Sequence, residues 1–125
     1  MAARKPKSQR NEPTPPPVLT MQGLHVLLAL ADHDQHGWAI LRDIEQATDG
    51  EITLSAGTLY GLIKRLSDQG LVELSEDRPP ARWDDRRRRY YRLTDLGRAA
   101  AQEKLDKLES TLALARQRHL VARET

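Results

Sequence analysis

A proline inside a helix or a central strand removes a hydrogen bond and clashes with the backbone, so proline positions limit where regular structure can run. All seven prolines of this chain fall in two places: Pro6, Pro13, Pro15, Pro16 and Pro17 near the start, and Pro79 with Pro80 in the second half. Residues 1–19 add Arg4, Lys5, Lys7 and Arg10 but few apolar groups, too few to offset ordering entropy by burial. They read as a disordered, basic arm. Such an arm can follow a phosphate backbone or enter a minor groove; the plainer reading, adopted here, is a solvated tail.

Between the proline clusters, apolar residues recur at helical spacing. Thr20 is placed to cap a first helix with Leu24, Leu27, Leu28 and Ala31 on one face, ending at DHDQHG. A second amphipathic stretch begins at Trp38 and runs through Leu41, Ile44 and Ala47 or Thr48 to the Asp49-Gly50 turn signal. Ser55 is placed to cap a third helix whose buried stripe is Leu59, Leu62, Ile63 and Leu66, with Gly70 as its stop. After Gly70, LVELSE and RYYRLT read as two strands of a hairpin whose long tip, residues 77–87, holds the second proline pair. Thr94 then caps a final helix of about 25 residues, about 37 Å long, in which Ala101, Leu105, Leu108, Leu112, Ala115 and His119 alternate four and three apart. A seam of that period asks for a partner helix.

At 125 residues the chain fits one compact domain with tails. Its aromatics are Trp38, Trp83, Tyr60, Tyr90 and Tyr91, with no phenylalanine, so the core is aliphatic. Cysteine is absent, which removes disulfides, thiolate metal sites and thiol nucleophiles together. The longest wholly apolar run, Val26 to Ala31, is far below the roughly 18 residues of a membrane span, and MAARKPKSQR has no signal-peptide core. A soluble, cytoplasmic protein is expected.

Net charge is only +2, so preference for a polyanion depends on where the charges sit. Arg78, Arg82, Arg86, Arg87, Arg88, Arg89 and Arg92 crowd the hairpin. Consecutive residues of a strand alternate faces, so some arginines meet phosphate or a groove edge while others pair with Asp77, Asp84 or Asp85. Three helices and a hairpin form the order of a winged helix-turn-helix, whose third helix can enter the major groove. On that helix Ser55, Gly57, Thr58, Tyr60, Gly61 and Lys64 lie off the apolar stripe: small groups permit close approach, hydroxyls reach phosphates, and Lys64 or Arg65 supplies charge.

GTLYGLIKRLSDQGLVE, followed by RRRRYYRLTDLG and preceded by VLLALADHDQHGWAI, resembles the PadR family of bacterial transcriptional regulators over Val26 to Gly97. The resemblance implies a dimeric winged-helix repressor of the short type, with one terminal helix serving the dimer and Ser55, Gly57, Thr58, Tyr60 and Lys64 facing DNA. It also implies that a small-molecule effector, where one acts, sits at the dimer interface. Three features depart from the family pattern: Gly61 where proline is frequent, Trp38 where tyrosine is frequent after His-Gly, and a wing lengthened by RPPARWDD. Trp83 in that insertion reads equally as an exposed anchor or as a ring folded onto the hairpin.

Asp32, His33, Asp34 and His36 could in principle ligate a divalent ion, but their spacing fits no standard site and the segment reads as a polar loop. There is no phosphate-binding glycine loop, GxSxG or HExxH, so neither an enzyme nor a cofactor is expected. The expected architecture is mainly α with a small hairpin: arm 1–19, winged helix-turn-helix 20–93, dimerisation helix 94–120 and tail 121–125. DNA contacts are assigned to Ser55, Gly57, Thr58, Tyr60, Lys64, Arg65, Arg86, Arg87 and Arg88, and dimer contacts to Ala101, Leu105, Leu108, Leu112 and Ala115. The expected partners are a pseudo-palindromic DNA operator and a second copy of the chain, paired parallel or antiparallel. The alternative is a winged-helix module that binds protein or RNA without operator specificity.

Overall fold

The computed structural model describes residues 18–75 and 89–122. Expectations for residues 1–17, for Arg86, Arg87 and Arg88, and for Trp83 lie outside them. The described elements are α1 (Met21–Ala29), β1 (Gln35–His36), α2 (Gly37–Ala47), α3 (Ala56–Asp68), β2 (Val72–Leu74), β3 (Tyr90–Leu93) and α4 (Asp95–Gln117).

Each helix starts where a side chain can accept a backbone N–H that the helix leaves unpaired. Thr20 Oγ1 accepts from Gly23 at 3.0 Å, Ser55 Oγ from Thr58 at 3.1 Å and Thr94 Oγ1 from Gly97 at 2.9 Å. Each such cap contributes about 1 kcal/mol. Helices α2 and α3 stop where the chain turns left-handed: Asp49 and Gly50 have φ of 52° and 80° after α2, and Gly70 has φ of 81° after α3.

The buried side chains form one aliphatic cluster. Leu24, Val26, Leu27 and Leu30 enter it from the α1 region, Ile40 and Ile44 from α2, Leu59, Leu62, Ile63 and Leu66 from α3, and Leu71, Val72 and Tyr91 from the sheet. The α3 stripe is the one the spacing predicts. On α1 the buried arc is displaced: Val26 and Ala29 turn inward, whereas Leu28 stands exposed. On α2 the correction is larger. Trp38, expected on the apolar face, is 60% exposed, and Gly37, Ile40 and Ile44 face the core. The helix starts at Gly37, one residue before the expected Trp38, with His36 rather than a hydroxyl residue as its cap.

The hairpin strands β2 and β3 pair antiparallel, with Val72 opposite Leu93 and Leu74 opposite Tyr91. A third strand was not expected. Gln35 and His36, in the segment read as a polar loop, pair antiparallel with Tyr91 and Tyr90, so β3 lies in the centre of the order β1-β3-β2. The polar residues there have structural partners. The buried Gln35 amide donates to the Ala29 carbonyl at the end of α1 and, at 3.0 Å, to Asp43 of α2. Asp34 accepts from the Ser75 hydroxyl beyond β2, and Arg98 of α4 donates to the Ala31 carbonyl at 3.0 Å.

The last helix is set against the hairpin by Thr94 and Gly97. Thr94 donates its N–H to the Leu71 carbonyl at 3.1 Å and its hydroxyl to the Gly70 carbonyl at 2.6 Å. Gly97 then passes so close that a Cβ would stand 2.0 Å from the Leu71 oxygen. Beyond Ala101, the last buried residue of α4, the helix runs on to Gln117. Among the described residues, no helix is long and apolar enough to cross a membrane. Because backbone must yield at the Gly97 contact, Gly97→Ala is expected to lower unfolding free energy by about 1–3 kcal/mol, measured by urea denaturation at fixed protein concentration.

Candidate nucleic-acid interface

The 100° step of a helix sorts the exposed residues of α3. Opposite the buried line of Leu59, Leu62, Ile63 and Leu66 runs an outward line of Gly57, Gly61, Lys64 and Asp68. Tyr60 flanks it on one side, and Thr58 and Arg65 on the other. The structure therefore brings Gly57, Gly61 and Lys64 together along one edge, and places Thr58 and Arg65 around the helix from Tyr60. A Cβ built on Gly57 or Gly61 would meet nothing within 4 Å. Neither glycine is thus required by packing among the described residues, although each weakens the helix by up to about 1 kcal/mol relative to alanine.

Ser55 and Thr58 are exposed at the start of α3, where the Ser55 hydroxyl also donates to Thr58 Oγ1 at 3.0 Å. The Thr58 O–H remains able to donate outward. Lys64 pairs with Asp68 at 3.3 Å, with both side chains largely exposed, an i,i+4 pair of small energetic weight that an external phosphate can replace. Arg65 is exposed in the last turn. Arg92, counted with the wing arginines, instead lies across the sheet against Glu73 at 2.8 Å.

Tyr60 does more than offer a hydroxyl to solvent. Its oxygen lies over Gly37, where a Cβ would come within 2.3 Å, so the half-exposed Tyr60 ring keeps this position because the first residue of α2 is glycine. The imidazole of His36, whose Nδ1 accepts from Ala39 N–H at 3.3 Å, meets Tyr90 edge-on with centroids 5.3 Å apart. Burial raises the Tyr91 phenol above its ordinary value of 10.0, the nearby Tyr60 raises it further, and Arg89 opposes both. The His36-Gly37 step was legible only as a sequence resemblance, and nothing in periodicity revealed its contact with Tyr60.

The residues assigned to the dimer divide in two. Ala101 is buried within its own chain, whereas Leu105, Leu108 and Leu112 are 38%, 37% and 40% exposed and Ala115 is half-buried. Met21 and Leu28 on the outer side of α1 are likewise exposed. Sequence reasoning did not single out this α1 face. Among the described residues, no group of three or more His, Cys, Asp or Glu side chains is arranged to hold a metal ion.

Three core helices followed by a β-hairpin, with a further long helix, define a winged helix-turn-helix protein. Residues 26–103 match the model of the transcriptional regulator PadR-like family, and the chain belongs to that family. It is 38% identical over 86 residues to the transcriptional regulator Rv3488 of Mycobacterium tuberculosis, covering 69% of this chain and 74% of that one. A transcriptional regulator from Clostridium thermocellum superposes with a TM-score of 0.62 at 25% identity, over 76% of this chain and 86% of that chain. Bacillus subtilis PadR, solved in complex with operator DNA, shares the fold with a TM-score of 0.57 at 17% identity, over 70% of this chain and 48% of that chain.

With open space at Gly61 and an ordinary helical backbone, Gly61→Ala is expected to raise unfolding free energy by about 0.5–1 kcal/mol in chemical denaturation.

Proposed function

We propose that the chain is a homodimeric, sequence-specific DNA-binding regulator that represses transcription from a pseudo-palindromic operator. The observation that carries this reading is the outward line of α3: two glycines with no packing role among the described residues, followed by Lys64 on the same helix edge. A major groove admits a helix, and a helix without side chains at two successive turns approaches base edges and phosphates closely. Ser55, Thr58, Tyr60 and Arg65 flank that edge with hydroxyl and cationic donors, and Arg86, Arg87 and Arg88 are assigned to the wing's contacts. The operator DNA in the Bacillus subtilis PadR complex supports the same class of ligand here.

Residues 20–93 are the DNA-binding unit and 94–120 the dimer helix, between arm 1–19 and tail 121–125. The half-exposed Leu105, Leu108 and Leu112, with Met21 and Leu28 on α1, support a second copy as the partner, since contiguous exposed apolar side chains mark association surfaces. A small-molecule effector that relieves repression is assigned to this interface. An apolar cleft of about 570 Å³ among Leu19, Leu71, Leu96 and Ala100, with Lys104 on its border, offers room beside the dimer helix.

The test is a fluorescence-anisotropy titration of the full chain against DNA from immediately upstream of its own gene, with scrambled DNA and an RNA hairpin as competitors, at several salt concentrations. Upstream DNA preferred by roughly 10³-fold or more supports operator binding; equal, steeply salt-dependent binding to all three overturns it. Lys64→Ala is expected to weaken upstream-DNA binding by about 1–3 kcal/mol, and an unchanged affinity removes Lys64 from the interface. Leu108→Asp places a charge in the seam and is expected to yield monomers in sedimentation; an unchanged dimer refutes this interface.

A further inference from the structure

Trp38 is the only tryptophan among the described residues, and it stands 60% exposed on the second residue of a helix that otherwise turns its apolar groups inward. Exposing an indole forgoes a large hydrophobic gain. Two clefts, of about 650 and 320 Å³, run along either side of the ring, and Trp38 and Arg42 are the two residues that line both. One helical turn apart, they form a ridge between the clefts. The first cleft includes His36 and the second includes Thr53 and Leu54, which lead directly into the Ser55 cap of α3. Trp38 also follows Gly37, on which Tyr60 of α3 rests. The ridge is therefore continuous with the N-terminal end of α3.

Its chemistry matches an acceptor-only ligand. An indole N–H and a guanidinium donate and cannot accept. Trp38 lies in the first turn of α2, where the helix dipole also favours an anion. Of the neighbouring acids, Asp43 lies in the larger cleft and accepts from Gln35, and Glu45 lies about 4.5 Å further along the helix axis than Arg42. Each cleft thus holds one carboxylate on the C-terminal side of Arg42, and Trp38 stands on the N-terminal side. In helix-turn-helix proteins the helix preceding the recognition helix crosses the sugar–phosphate backbone.

We propose that Trp38 and Arg42 form a backbone clamp beside the groove-reading helix, the indole N–H donating to one DNA phosphate and the guanidinium to its neighbour. This inference rests on the DNA-binding reading above. Because such contacts carry no base information, their loss weakens all duplexes alike.

The experiment uses the full chain with Trp38→Phe, which keeps a ring and removes the N–H donor, and Arg42→Gln, which keeps length and removes the charge. Each is titrated against the upstream DNA and a random-sequence duplex over a range of salt, with Lys64→Ala alongside. Trp38→Phe is expected to weaken both duplexes by the same factor, about threefold to tenfold, and Arg42→Gln to reduce the salt slope by about one. Both side chains are exposed, so circular dichroism melts are expected to match wild type. If Lys64→Ala weakens binding while Trp38→Phe and Arg42→Gln leave affinities and slope unchanged, the clamp is refuted and the DNA-binding reading stands. A loss confined to upstream DNA also refutes it, because that pattern marks a base contact. If wild type binds no duplex, both readings fall.

Discussion

The junction at His36-Gly37, where the sheet, the start of α2 and the Tyr60 ring of α3 meet, ties the helix-turn-helix to the hairpin. A single Cβ on Gly37 would collide with the Tyr60 hydroxyl. The residue before it, His36, is both a member of the sheet and the cap of α2. A two-residue step therefore joins three elements: it fixes α2 to β3 by backbone pairing, starts α2 with an imidazole acceptor, and admits the Tyr60 ring of α3 against the first turn. The exposed edge of α3 takes its orientation from the buried stripe on the opposite face, and Trp38 and Arg42 lie immediately downstream of the junction.

A stricter close approach, of Gly97 to the Leu71 backbone carbonyl, sets the start of the long helix. Thr94 spans the ends of the hairpin with bonds to Gly70 and Leu71, and the helix leaves at a fixed angle over α1. The two glycines act at opposite ends of the sheet. Gly37 makes room for the Tyr60 ring beside the helix edge, and Gly97 sets where the half-exposed leucines of α4 project. In the proposed dimer two recognition edges have to match the helical repeat of DNA, so the angle at which α4 leaves the hairpin bears on the half-site spacing.

Much of this was legible in the sequence because it is local. Thr20, Ser55 and Thr94 announce helix starts, Gly70 announces a stop, and the stripe Leu59, Leu62, Ile63 and Leu66 has the helical period. The failures are non-local. Gln35-His36 has no periodicity that could mark a two-residue strand; it is a strand only because Tyr90 and Tyr91 lie beside it. Trp38 is hydrophobic enough to suggest burial, yet Ile40 and Ile44 set the phase of α2 and leave the indole outside. Leu28 is left outside in the same way, because the core takes Val26 and Ala29 from the neighbouring angles of α1. At the site, the family resemblance located Gly37 and Tyr60 separately, while their contact is a property of the fold alone.

The glycines of the α3 edge also bear on how the molecule moves. Together Gly57 and Gly61 remove up to about 2 kcal/mol of intrinsic helicity from a 13-residue helix, so its order depends mainly on four buried side chains on the opposite face. A helix held by one face takes its stability from packing and little from its own propensity. Whatever grips the bare edge supplies the missing second face. Binding there tightens the segment from which the contact is made, and part of the free energy of recognition is taken up in completing the order of the helix itself.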